Sequence, residues 1–218
     1  LASHATMILM PKFDAELFLK TIGKHKPSSI NGIPSMLALA MNCHPLIDET
    51  DLSSVGSIHL GSAPVSQSLF DQLSAKFPKA RNRIVVGYGL TEVGSGLFGR
   101  HPDLPTPKLS VGFPLSGIEY RLRDEILEIR SPSMMKEYLE DQSQTKTAFT
   151  PDGFFITGDL FTIDENGFYF FRGRADEVFK CGGEKVSPSH IESLLESHPS
   201  VMTDRKSTRL NSSHVKRS

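Results

Sequence analysis

Two rhythms of apolar and polar positions run along the chain. Up to about residue 96, short apolar runs alternate with stretches spaced for a helix. Met7, Ile8, Leu9 and Met10 predict a strand ended by Pro11. Asp14 then caps a helix carrying Leu17, Phe18 and Ile22, with Gly23 as its stop. A strand near Ser29 and Ile30 leads through Gly32, Ile33 and Pro34 into a helix over 36–41, and a polar loop follows over 42–54. Ser57 to Leu60 predicts a further strand. After Gly61-Ser62-Ala63-Pro64, Ser66 caps a helix whose Leu69, Phe70, Leu73 and Phe77 form one stripe before Pro78. Ile84, Val85 and Val86 suit a buried strand, which Gly87 and Gly89 break around Tyr88. Strands alternating with helices, without long hairpins, predict an α/β fold with a covered, mainly parallel sheet.

Beyond about residue 110 the rhythm changes to period two. Residues 118–122 and 126–130 alternate around Arg123-Asp124 as a β-hairpin. Runs at 154–159 and 160–163 continue it, and Asp164-Glu165-Asn166-Gly167 turns the chain into the aromatic run 168–171, which reads as core. This is a small antiparallel β unit. A polar stretch, Gly173-Arg174-Ala175-Asp176-Glu177, marks a boundary. It is followed by a strand over 178–180, a turn at Cys181-Gly182-Gly183-Glu184, and a helix capped by Ser187 and Pro188 that carries Ile191, Leu194 and Leu195 and ends at Pro199. Residues 203–218 have almost no apolar periodicity and carry Arg205, Lys206, Arg209, Lys216 and Arg217 against Asp204. They are expected to be a disordered tail of non-native origin.

Composition narrows the function classes. A net charge of -1, from 24 basic and 25 acidic residues, supplies no electrostatic footprint for nucleic acid or an anionic membrane. No apolar run approaches the roughly 20 residues of a membrane-spanning helix. Cys43 and Cys181 lack metal-ligand spacing and read as reduced thiols, which points to a reducing, cytoplasmic setting.

Candidate chemistry begins where the buried strand ends, in RIVVGYGLTEVGSG at 83–96. Open α/β sheets bind ligands at such strand ends. Tyr88 can lie against a base, Thr91 can bind a phosphate, and Glu92 can hold a magnesium ion bridging phosphate oxygens. The pattern lacks the third glycine of a dinucleotide fingerprint. In Thr157-Gly158-Asp159 the carboxylate can accept both hydroxyls of a ribose. Each motif alone also reads as ordinary turn punctuation.

Taken in order, GYGLTE at 87–92, TGD at 157–159, GRADEVFK at 173–180 and GGEKVSP at 182–188 resemble the AMP-forming superfamily of acyl-CoA synthetases, luciferases and peptide-synthetase adenylation domains. The resemblance runs from about Ile8 to Val201. It implies an ATP-dependent acid-thiol ligase that adenylates a carboxylic acid and transfers the acyl group to coenzyme A, with Mg2+ as cofactor. A luciferase-like enzyme, a peptide-synthetase domain and a non-catalytic nucleotide-binding protein are the alternatives.

The resemblance further implies roles for individual residues. Gly61, Ser62 and Ala63 would face the adenine through their backbone, with Tyr88 beside it. Thr91 would hold a phosphate oxygen, Glu92 the magnesium, Asp159 the ribose, and Arg174 the ribose and phosphate region. Asp176 would be a hinge, while Lys180 and Lys185 would meet anionic phosphates. Ile33, Pro34, Met36 and Gly87 would border the acyl pocket, although for Ile33, Pro34 and Met36 plain core packing is the default reading. Residues 1–173 would be the C-terminal part of a large AMP-binding domain, split into an α/β portion over 1–110 and an antiparallel portion over 111–173. Residues 174–202 would begin a small α+β domain. Neither the family's Ser/Thr/Gly-rich phosphate loop nor its adenylation lysine occurs in the sequence, so the 218-residue chain is expected to be an inactive fragment.

Overall fold

The computed structural model describes residues 4–181 and 184–186, together with 188, 191 and 195. Its first half builds one layered unit. Helix α1 (Ala15–His25) leads into β1 (Ser29–Gly32), α2 (Pro34–Met41), a single-turn α3 (Leu46–Glu49), β2 (Ser57–Leu60), α4 (Gln67–Lys76) and β3 (Ile84–Val86). The strands pair in parallel in the order β1-β2-β3, with Ile30 opposite Ile58 and Ile58 opposite Ile84. Short parallel strands need helical crossovers, and the helices supply the apolar cover. Phe18, Leu19 and Ile22 of α1, Leu37 and Met41 of α2, and Leu69, Phe70 and Leu73 of α4 share one core with Ile30, Ile58, Leu60 and Ile84. Each such side chain, fully buried, contributes about 1.5–3 kcal/mol.

Capping follows the sequence closely. The Asp14 carboxylate accepts from the Leu17 amide at 2.8 Å, and Ser66 Oγ accepts from the Leu69 amide at 3.3 Å. Pro34 occupies the first turn of α2, where its missing N–H leaves nothing unpaired.

Several expectations are corrected. Residues 7–10 form no strand, because no described segment pairs with them, and Met7 and Leu9 stand exposed. Gly23 does not stop α1, which continues to His25 and ends at Lys26 in the left-handed region. Leu17 lies off the buried stripe, where Leu19 takes its place. The 42–54 loop contains α3, which buries Ile47 in the first core. The turn at Gly182-Gly183, the cap at Ser187, Leu194, Pro199 and the tail at 203–218 lie outside the described residues.

Past β3 the chain makes a tight hairpin, β4 (Gly89–Leu90) and β5 (Ser95–Gly96), closed by a 3-10 turn at Thr91–Val93. A second small pair follows, β6 (Phe98–Gly99) with β7 (Phe113–Pro114). Gly112, at φ 114°, packs so tightly on this pair that a Cβ would sit 2.4 Å from the Gly99 carbonyl oxygen. Only glycine meets both demands.

The antiparallel sheet comprises β8 (Glu119–Arg123), β9 (Ile126–Arg130), β10 (Phe155–Ile163) and β11 (Tyr169–Arg174), in the order β11-β10-β9-β8. Helix α5 (Gln142–Ala148) lies between β9 and β10 in sequence. The predicted runs at 154–159 and 160–163 fuse into one strand with register irregularities, and Gly158 supplies a φ of 71° there. Asp124 and Glu125, both at positive φ, turn the β8–β9 hairpin. The second core joins Val86 and Val93 to Leu127, Ile129, Phe155, Phe161 and Tyr169, which fastens the strand-end loop to this sheet. Phe168 and Tyr169 are buried as the aromatic run predicts, while Phe170 and Phe171 are half-buried. A last hairpin pairs β12 (Phe179–Cys181) with β13 (Glu184–Val186).

Candidate functional site

Parallel register sets the first part of the site. Leu60 pairs with Val86, so the next residues, Gly61 and Gly87, leave the sheet side by side. A Cβ on Gly61 would meet the Gly87 carbonyl oxygen at 3.7 Å, and the Gly87 amide donates to the Leu60 carbonyl at 2.6 Å. The two small-residue loops are therefore neighbours at the carboxyl ends of β2 and β3, where such sheets receive ligands. Beside them lies an open groove of about 430 Å³, lined by Asn31, Gly32, Ile33, Met36, His59, Leu60, Gly61 and Ser62. It unites the Ile33–Met36 and Gly61–Ser62 candidates. Pro34 is buried in the first turn of α2, and Ala63 is half-buried outside the groove.

Motifs far apart in sequence converge on Asp159. Its side chain is 5% exposed. The Tyr88 hydroxyl donates to Oδ2 at 2.5 Å, and Arg174 Nη1 donates to Oδ1 at 3.2 Å and to the Thr157 carbonyl at 3.1 Å. Strand pairing explains the meeting, since Asp159 and Arg174 are register partners across β10 and β11. Arg174 Nε also donates to the exposed Asp176 carboxylate at 3.2 Å. Burial pushes the Asp159 carboxyl above its usual range despite the bonds from Tyr88 and Arg174, and burial beside the Asp159 charge pushes the Tyr88 phenol up. The Tyr88 ring packs edge-on against Phe161 at 4.9 Å and lies near Phe98 and Phe171. An aromatic cluster thus holds the Tyr88 ring, whose hydroxyl meets a carboxylate and a guanidinium at one place.

A second cleft of about 410 Å³ adjoins this cluster and shares Arg174 with it. Its lining includes Glu92, Tyr138, Gln144, Thr147, Thr157 and Gly158. Glu92 sits in the 3-10 turn, and its Oε1 accepts from the Tyr138 hydroxyl at 3.0 Å. Burial, then the Glu92 contact, raises the Tyr138 phenol. Thr91 is exposed on the same turn, outside the cleft lining. Among the described residues no group of three metal-ligating side chains occurs. A lone carboxylate facing a polar cleft does suit a magnesium ion, which commonly takes one or two carboxylates and draws its other ligands from substrate phosphates and water.

Lys180 and Lys185 are register partners in the β12–β13 hairpin, and their side chains lie outside the described residues. Sequence reasoning missed Tyr138, Gln144 and Thr147. Their stretch has no apolar period, and a tyrosine within a polar run was the only signal. His59 reads from the sequence either as a pocket residue or, by default, as a satisfied strand histidine; it is exposed and lines the groove.

A parallel α/β layer joined at its strand ends to an antiparallel sheet, with this polar cluster at the junction, is the architecture of the adenylate-forming enzymes. The solved anthranilate CoA ligase AuaEII, in complex with anthranoyl-AMP, superposes with a TM-score of 0.79 at 27% identity, over 90% of this chain and 40% of that one. ATP-bound MatB from Rhodopseudomonas palustris gives 0.75 at 28% identity, again over 90% and 40%. The model of the family described as AMP-binding enzyme matches residues 1–139, and the chain belongs to that family. Among curated relatives, a probable 4-coumarate–CoA ligase 2 from Dictyostelium discoideum is 34% identical over 89% of this chain and 37% of its own length. Acyl-CoA synthetase 7 from Caenorhabditis elegans is 33% identical over 90% and 37%. The chain therefore spans well under half the length of these relatives. No helix among the described residues is long and apolar enough to cross a membrane.

Proposed function

We propose that this chain carries the nucleotide-binding part of an ATP-dependent acid-thiol ligase, which adenylates a carboxylic acid and passes the acyl group to coenzyme A. The observation that carries the reading is the convergence of Tyr88, Asp159 and Arg174, from three separated motifs, on one buried carboxylate. Asp159 accepts ribose hydroxyls, exchanging the Tyr88 hydroxyl for substrate donors. Arg174, already in the cluster, lies beside the ribose and phosphate. The small backbone at Gly61, Ser62 and Ala63 lets adenine approach the sheet ends near Tyr88. Thr91 holds a phosphate oxygen. Glu92 would hold magnesium, which would supply charge neutralisation at the phosphates; in the step itself the carboxylate oxygen of the acid attacks the α-phosphate and pyrophosphate leaves.

The groove beside Ile33, Pro34, Met36 and Gly87 receives the acyl chain. Residues 1–173 belong to the large domain, and residues from 174 begin a small one. Asp176 is the hinge between the two half-reactions, and Lys180 and Lys185 meet coenzyme A phosphates. A cytoplasmic setting accords with the reduced thiols expected of the sequence.

Calorimetry with AMP on the 218-residue chain tests the reading. Binding is expected, and Asp159→Asn should weaken it by about tenfold or more, since a hydrogen bond to a charged group contributes about 1.5–3 kcal/mol. Equal affinity in the variant would remove Asp159 from the site.

A further inference from the structure

We propose that Tyr138, a residue outside the family motifs described above, is a positioning residue for the Glu92 carboxylate. The inference rests on the proposed metal-binding role of Glu92. A glutamate on a single 3-10 turn has several free torsions and would lose their entropy on binding an ion. Here the turn and the side chain are both braced from one segment. The Met135 amide donates to the Glu92 carbonyl at 2.7 Å, and Ser133 Oγ donates to the Val93 carbonyl at 2.8 Å. Gly94 lies so close that a Cβ would fall 2.7 Å from the Ser133 Cβ. The Tyr138 hydroxyl then fixes Oε1 at 3.0 Å and leaves Oε2 for a ligand.

Tyr138 is itself held. Its amide donates to Thr145 Oγ1 at 3.0 Å, and that hydroxyl donates to the Asp141 carbonyl at 2.8 Å. Asp141 caps α5 by accepting from the Gln144 amide at 2.8 Å. With the backbone anchored, a tyrosine has only two torsions to set, so the hydroxyl is delivered to one place. Partners of this kind orient metal ligands, and their loss typically lowers metal affinity about 10–100-fold.

The test is a double-mutant cycle on the 218-residue chain. Tyr138→Phe, Glu92→Gln and the double variant are compared for Mn2+ binding in the presence of ATP, followed by electron paramagnetic resonance, and for metal-free AMP affinity and thermal melting. Tyr138→Phe should weaken Mn2+ binding about tenfold while AMP affinity and melting stay at wild-type values. In the Glu92→Gln background it should add nothing further. Unchanged Mn2+ binding in Tyr138→Phe overturns the proposal, as does an equal loss with and without Glu92, or a loss that tracks a lowered melting temperature. If Glu92→Gln itself binds Mn2+ like the wild type, the metal role of Glu92 falls and this inference with it. The AMP affinity of Asp159→Asn separately decides whether the nucleotide site stands.

Discussion

At the scale of single residues, Asp159 holds a charge against its own stability. Its folded-state carboxyl titrates above the ordinary value of 3.8 because burial outweighs the bonds from Tyr88 and Arg174. A carboxyl raised in this way binds its proton more tightly when folded. Its favourable contribution is therefore full below 3.8 and is lost as pH rises through the folded value. This is the reverse of the usual surface aspartate. Asp159→Asn removes the ionisation, so at pH 7 the variant should melt at or above the wild type, by about 2–4 °C for each kcal/mol relieved. On lowering the pH toward 4, the wild type should gain on the variant. Melting curves across that range check the sign, and a wild-type advantage confined to neutral pH would refute it. Such a trade of stability for a buried charge is typical of binding sites. The order of the motifs singled out Asp159 as a candidate, whereas its elevated titration comes from burial in the folded sheet, a long-range matter no tripeptide encodes.

At the scale of elements, local pattern determined what local physics can determine. The Leu69, Phe70 and Leu73 stripe of α4, continued by buried Phe77 at its C-cap, and the Ser66 N-cap appear as read, because helix periodicity and capping are properties of a few consecutive residues. Residues 7–10 have the same apolar run as a strand but make none, since a strand exists only with a partner. Helix α5 buries no residue, so no periodicity announces it. The ion pairs of the β8–β9 hairpin were likewise invisible until register placed them. Arg121 bonds the buried Glu128 through Nε and Asp152 through both Nη atoms, and its guanidinium lies 3.9 Å from the centre of the Phe154 ring. Arg130, by contrast, pairs with the exposed Glu119. Arg121→Ala should destabilise the fold, because it strips the buried Glu128 of its closest partner and removes one of the two guanidinium groups over Phe154. Glu119→Gln should change stability much less, because its partner is exposed and solvent screens the pair. Urea titrations of the two variants, with equal slopes, would measure the difference. Equal losses would mean that Glu128 remains satisfied through Arg123, whose Nε lies 3.5 Å away.

At the scale of the whole molecule, the two cores meet beside the proposed nucleotide site. Val86 and Val93 join the strand-end loop to Phe161 and Tyr169, and Tyr88 packs against this core while its hydroxyl meets Asp159. Yet the chain spans 37% of the Dictyostelium ligase and 40% of AuaEII, and its sequence contains neither the phosphate loop nor the adenylation lysine that the family resemblance implies. Loss of a single charge-stabilising group commonly lowers turnover about 10²–10³-fold, and two such groups lie outside this sequence. The 218-residue chain should therefore bind AMP while carrying out acid-dependent ATP–pyrophosphate exchange at least about a hundredfold below a complete ligase. Exposed Met7, Leu9, Leu17 and Leu39 favour association, so the measurement belongs on monodisperse material verified by light scattering. A panel of aliphatic and aromatic acids guards against a mismatched substrate. Exchange at a complete ligase's rate with any of them would mean that groups within these 218 residues neutralise the α-phosphate, and the cleft holding Glu92, Tyr138 and Arg174 would be the place to find them.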